Sequence, residues 1–158
     1  MGSQHRSVIG IDPGNTRTGW AVFWEARLQS AGWLAGDLFD LPDVPLLPAI
    51  VVVELPVIYP LGKGKGDPND LIKVAELAGA IRGFYSVRAP GVDTAVVKPR
   101  TWKGTVPKAI HNKRVVAALS ARETNLLPRR PRAGDFDHNM LDAIGIGLWQ
   151  LAKEGQRE

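Results

Sequence analysis

The chain has 158 residues, 44% hydrophobic and 23% charged, with a net charge of +4 and no cysteine. That length suits one domain with a substantial core but not two full domains and a linker, and the lack of cysteine excludes disulfides, thiolate metal sites and a cysteine nucleophile. The longest apolar stretches, such as Leu46 to Leu55, are too short to span a bilayer, and no charged-then-apolar leader stands at the N-terminus, so a soluble, unexported protein is expected.

Residues 1–6 read as a disordered start. Val8 to Ile11 then predicts a first strand, and "GWAVFWEARLQSAGWLAGDLF" two further strands of an antiparallel meander, from its alternation and aromatic content. After the Pro-rich "LPDVPLLP", the run "AIVVVEL" is continuously apolar and β-branched, as in a strand covered on both faces. The segment "PVIYPLGKGKGDPND" is rich in turn residues. From Asp70 as N-cap, "LIKVAELAGAIRGFYSVR" has helical spacing, and "VDTAVVKP" reads as a strand ended by proline. A basic loop and one basic helix are expected over "TWKGTVPKAIHNKRVVAALSARE", then a loop, then a final helix over "NMLDAIGIGLWQLAKEG". The order β-β-β-β-α-β-α-α indicates a mixed α/β sheet with helices on its faces.

Three carboxylates stand where solubility does not explain them. Asp12 ends the first strand and runs into the turn "PGNTRTG", Glu54 closes "IVVVE", and Asp142 sits in the otherwise apolar "HNMLDAIGIGLW". Singly, they have ordinary explanations as a turn former, an edge charge and a helix-surface acid. Together, three acids at the mouths of buried elements are better explained by a shared cation, and oxygen ligands without cysteine favour Mg²⁺ or Mn²⁺ over zinc. Asn139 and His138 precede Asp142 by three and four residues and so share its helical face. Either could complete a metal site, and His138 could instead move protons. Gly145 and Gly147 in the same helix suggest tight packing on the sheet.

Charge is unevenly spread. Between Lys98 and Arg132 lie ten basic residues and one acidic residue, Glu123, whereas the rest of the chain holds ten basic and fifteen acidic. Such asymmetry is the footprint of a polyanion binder.

The ordered set "IGIDPGNTRTGWAV", "VVVELP" and "HNMLDAIGIGLW", with "VKPRTWKG" and "PKAIHNKR" between, resembles the RuvC-type Holliday junction resolvases of the ribonuclease H-like superfamily, in particular their short phage-type members. The likeness runs from Val8 to about Leu151. It implies a ribonuclease H-like α/β fold: a five-stranded mixed sheet, its first three strands antiparallel, flanked by helices and forming a single domain over residues 1–158. It also implies a homodimeric, Mg²⁺- or Mn²⁺-dependent endonuclease, with two ions per site. Such an enzyme makes paired nicks in four-way DNA junctions during recombination and repair, in the cytoplasm of a bacterium or a phage-infected host.

By matching motifs, Asp12, Glu54 and Asp142 take the metal-binding catalytic roles. The family's fourth position, an acid or histidine, is Asn139 here, with His138 beside it. An amide adds no charge and is no base. Lys98, Arg100, Lys103, Lys108, Lys113 and Arg114 would grip phosphates, Lys63 and Lys65 would reach a second DNA arm, and Trp102 would stack on a base or sugar or else anchor its loop. The family's aromatic after the glutamate has Tyr59 as its nearest counterpart, at an altered spacing. The same site would also suit a nuclease acting on flaps, forks or hybrids, or a non-catalytic junction-binding module. An actin-like ATPase, also suggested by "IDPGNTRTG", needs a second comparable domain.

Overall fold

The structure, a computed structural model, describes residues 6–58 and 67–157. Its strands are β1 (Ser7–Asp12), β2 (Thr18–Trp24), β3 (Arg27–Leu34), β4 (Ala49–Glu54) and β5 (Asp93–Val97). Its helices are α1 (Pro68–Arg88), α2 (Pro99–Trp102), α3 (Lys108–Ala117), α4 (Ala121–Asn125) and α5 (His138–Lys153). The sheet runs β3-β2-β1-β4-β5, with β1 antiparallel to β2, β2 antiparallel to β3, and β4 parallel to both β1 and β5.

The meander forms because β2, rich in aromatic and β-branched residues, and β3 turn back tightly at Glu25 and Ala26. Both residues take positive φ, 49° and 58°, the mirror-image turn that matches strand twist. β4 is buried from Ala49 to Val53, since β1 and β5 flank it and helices cover both its faces. One layer of core joins Val8, Ala21, Phe23, Ile50 and Val52 to Val115 of α3 and to Met140, Ile144 and Ile146 of α5. On the opposite face, Ile9, Ile11, Val51 and Val53 pack against Ala78, Ile81 and Tyr85 of α1. Each fully buried Ile, Val or Phe among them contributes about 1.5–3 kcal/mol by leaving water.

Local details differ from the sequence expectations at helix starts. α1 begins at Pro68, capped by Asp67, whose side chain accepts from Asn69 N–H at 2.9 Å, so Asp70 lies inside the first turn rather than capping it. The expected basic loop holds the one-turn α2, and the single basic helix is two pieces: α3 ends at Ala117, and Ser120 starts α4 through a capping box with Glu123. Arg6, placed by sequence in the disordered start, instead donates to Ala49 O at 3.1 Å and pairs with Asp93 and Glu154.

Candidate active site

Parallel pairing of β1 with β4 sets Ile11 opposite Val53, so the next residues, Asp12 and Glu54, end the two strands side by side. Side chains alternate along a strand. Because Ile11 and Val53 pack toward α1, Asp12 and Glu54 look the other way, toward α5. Asp142, buried one turn into α5, completes the group.

α5 reaches the sheet closely because glycines lie beneath it. A Cβ on Gly19 would fall 2.0 Å from Asn139 O, and one on Gly10 would fall 2.2 Å from Ala143 O. The helix start is also tied to the turn after β1. Asp137, fully buried, caps α5 by accepting from Asn139 N–H at 2.9 Å and Met140 N–H at 3.2 Å, and pairs with Arg17 at 3.1 Å. The Asn139 side-chain amide donates to Arg17 O at 2.6 Å, which leaves its oxygen as the atom available to a ligand.

Around the acids stand α2 and α3. Trp102 Nε1 donates to Glu54 Oε2 at 2.7 Å. The next residue, Lys103, places its ammonium 3.2 Å from Asp142 Oδ2 and 3.9 Å from Glu54 Oε2. His111 packs edge-on to Trp102, with its Nε2 3.6 Å from Asp142 Oδ1.

Burial, then the charges of Glu54 and Asp142, push the Asp12 carboxyl well above its ordinary range, against the pull of Lys103 and Lys108. Glu54 is raised as well, chiefly by burial, with Lys103 and the Trp102 bond opposing. For Lys103, burial works against the charge, but Asp142 and Glu54 together outweigh it and hold the ammonium above the usual lysine value. His111 is pushed down by burial more than Asp142 lifts it. His138, half-buried at the first position of α5, is also pushed down, by burial and then by Lys108.

The structure therefore places Asp12, Glu54 and Asp142 near one another, each within electrostatic reach of Lys103. Lys98, Arg100, Lys108, Lys113 and Arg114 are each exposed, on and around α2 and α3. Lys103 stands apart from them, turned inward with its side chain 26% exposed. Trp102 directs its N–H to Glu54 and packs its ring against His111. Tyr59, Lys63 and Lys65 lie outside the described residues. His111 was not singled out from sequence, although its spacing of four from the buried Val115 marks the inward face of α3.

No protein-family model and no curated protein sequence matches the chain. Among solved structures, Thermus thermophilus RuvC in complex with a Holliday junction substrate aligns with a TM-score of 0.61 and 21% identity, covering 98% of this chain and 99% of that one. A second Thermus thermophilus RuvC structure gives 0.50 and 18%, covering 96% and 98%.

The chain has the RuvC fold.

The ribonuclease H-like arrangement expected from sequence, three antiparallel strands followed by parallel β4 and β5 with helices on both faces, is thus met. In this RuvC fold the three acids are an oxygen-only donor set of the kind that suits Mg²⁺ or Mn²⁺. Asp142 Oδ1, buried and without a hydrogen-bond partner among the described residues, fits such an ion. Among the described residues no three Asp, Glu or His side chains stand as a ready ligand group; the Lys103 ammonium lies between Glu54 and Asp142 instead.

Proposed function

We propose that this protein is a divalent-metal-dependent endonuclease that hydrolyses phosphodiesters in four-way DNA junctions by paired symmetric nicks. The observation that carries the reading is the convergence of Asp12, Glu54 and Asp142, one from each of two adjacent parallel strands and one from the helix packed over them. A RuvC bound to a Holliday junction substrate, with the same fold, supports the choice of branched DNA.

Asp12, Glu54 and Asp142 would hold the ions, with the Asn139 side-chain oxygen as a neutral fourth ligand. Two bound divalent ions supply activation of the attacking water and charge neutralisation at the leaving oxygen. The rest is done by this chain's own groups. Lys98, Arg100, Lys108, Lys113 and Arg114 bind phosphates on either side of the scissile bond, which makes affinity steeply salt-dependent. His138, held largely neutral by burial and by Lys108, can accept a proton at its imidazole nitrogen.

A junction is nearly two-fold symmetric, so a homodimer with one site per subunit matches it. The outer face of α1 supports that assembly, since Ile72 is 64% and Val87 82% exposed there. Among the described residues no helix is long and apolar enough to cross a membrane, and DNA in the cytoplasm is the proposed target.

The test is cleavage of end-labelled four-way junction, flap and RNA–DNA hybrid substrates with Mg²⁺ or Mn²⁺, by wild type, Asp12→Asn and Glu54→Gln. Symmetric nicks in the junction that both substitutions abolish, with binding retained, are expected. Junction binding without cleavage in either metal overturns the catalytic reading, and preferential cutting of flap or hybrid overturns the substrate.

A further inference from the structure

Lys103 is the basic residue of the α2–α3 region that does not face solvent with the others. Its position is fixed from both sides. Trp102, immediately before it, is held by the bond to Glu54 and by edge-on packing with His111. Immediately after it, Gly104 takes φ +64°, a conformation open to glycine, and turns the chain away. The Lys103 backbone N–H closes the one-turn helix on Pro99 O at 3.0 Å. Its ammonium lies 4.9 Å over the Trp102 ring and reaches Asp142 Oδ2 and Glu54 Oε2, at 3.2 and 3.9 Å. These are oxygens that a divalent ion bound to the same two acids would use.

We propose that Lys103 is a tethered counter-cation of the carboxylate cluster, whose seat on Glu54 and Asp142 excludes a divalent ion and is surrendered when that ion binds. The proposal rests on the reading of Glu54 and Asp142 as metal ligands. Two cations cannot share these oxygens at contact distance without strong mutual repulsion. The ammonium therefore holds the acids together in the metal-free protein. On metal binding it leaves on its flexible four-carbon stem, in reach of the phosphates that the neighbouring basic residues bind. Metal affinity is thereby set below what the three acids alone would give.

The test is Mn²⁺ affinity by isothermal titration calorimetry for wild type, Lys103→Met, Lys103→Arg and Asp142→Asn, with melting temperatures of each metal-free protein. Lys103→Met is expected to bind Mn²⁺ about tenfold more tightly while melting lower without metal, and Lys103→Arg, which keeps the charge, to stay near wild type. A second measurement needs no substitution in the titrated sample: as Mg²⁺ is added to the wild type, the Lys103 side-chain methylene resonance should move far more than that of Lys113. If wild type binds Mn²⁺ and Asp142→Asn does not, but Lys103→Met binds no more tightly, the counter-cation is overturned and the metal site stands. An unmoved Lys103 resonance at saturating Mg²⁺ also overturns it. No Mn²⁺ binding by wild type or Lys103→Met overturns the metal site and the proposal together.

Discussion

Trp102 Nε1 lies 2.7 Å from Glu54 Oε2 and donates to it, so a residue just after β5 steadies the carboxylate that ends β4. Trp102→Phe keeps an aromatic ring but removes the donor. Losing a bond to the ionised form raises the Glu54 carboxyl further, so its acid form persists to higher pH. The acid limb of the cleavage profile should move to higher pH, with a stability loss of about 1.5–3 kcal/mol. Junction cleavage measured across pH checks this, and an acid limb that stays in place contradicts it.

Crowded acids weaken the protein that houses them. The Asp12 pKa is raised in the folded state above its ordinary 3.8, by burial and by its two acidic neighbours, so its ionisation costs stability as pH rises above that value. Asp12→Asn should therefore melt higher than wild type at neutral pH without metal, and the gain should vanish below pH 3.8. Saturating Mg²⁺ should stabilise wild type and do little for the variant. Calorimetric melting with and without metal tests both statements.

Glu123 shows the opposite sign. It accepts from Leu28 N–H and Arg157 Nη1 through Oε1, and from Ser120 N–H and Oγ through Oε2, all at 2.8 Å. Burial alone would raise its carboxyl, but these bonds outweigh burial and bring it down to about 2 from the usual 4.5. The stabilisation is fully present above pH 4.5 and is lost as pH falls through about 2. Glu123→Gln should lose on the order of 3 kcal/mol at neutral pH and converge with wild type near the bottom of that window, as read by urea unfolding at several pH values.

The seating of α5 can be tested through two glycines of opposite surroundings. Gly19→Ala puts a methyl 2.0 Å from Asn139 O, where backbone rather than a yielding side chain stands in the way. It should lose about 1–3 kcal/mol and shift Asp142 away from Asp12, with cleavage falling more than stability explains. Gly79→Ala in α1, with nothing within 4 Å, should gain about 0.5–1 kcal/mol and leave cleavage unchanged. Denaturant midpoints alongside cleavage rates separate the two.

The three acids were legible because each interrupts a local pattern: Asp12 and Glu54 end runs of apolar strand residues, and Asp142 breaks an apolar helix. The five strands and a mixed sheet followed from the same runs. Lys103 was not distinguishable from its basic neighbours, because what sets it apart is the one-turn α2 and the fixed Trp102, both products of tertiary contact. His111 meets Asp142 across elements remote in sequence, so only its helical spacing hinted at burial. The breaks around α3 and α4 lay beneath a continuous apolar spacing that masked the capping signal of Ser120 and Glu123.

The strand order has a consequence for the newborn chain. The hairpins β1-β2-β3 close between sequence neighbours, but Asp12 meets Glu54 only when β4 docks along the far edge of β1, and Asp142 arrives with the last helix. Contacts of such separation form late. A half-made polypeptide still on the ribosome thus carries the three acids in separate pieces, and the cluster closes only after folding is finished.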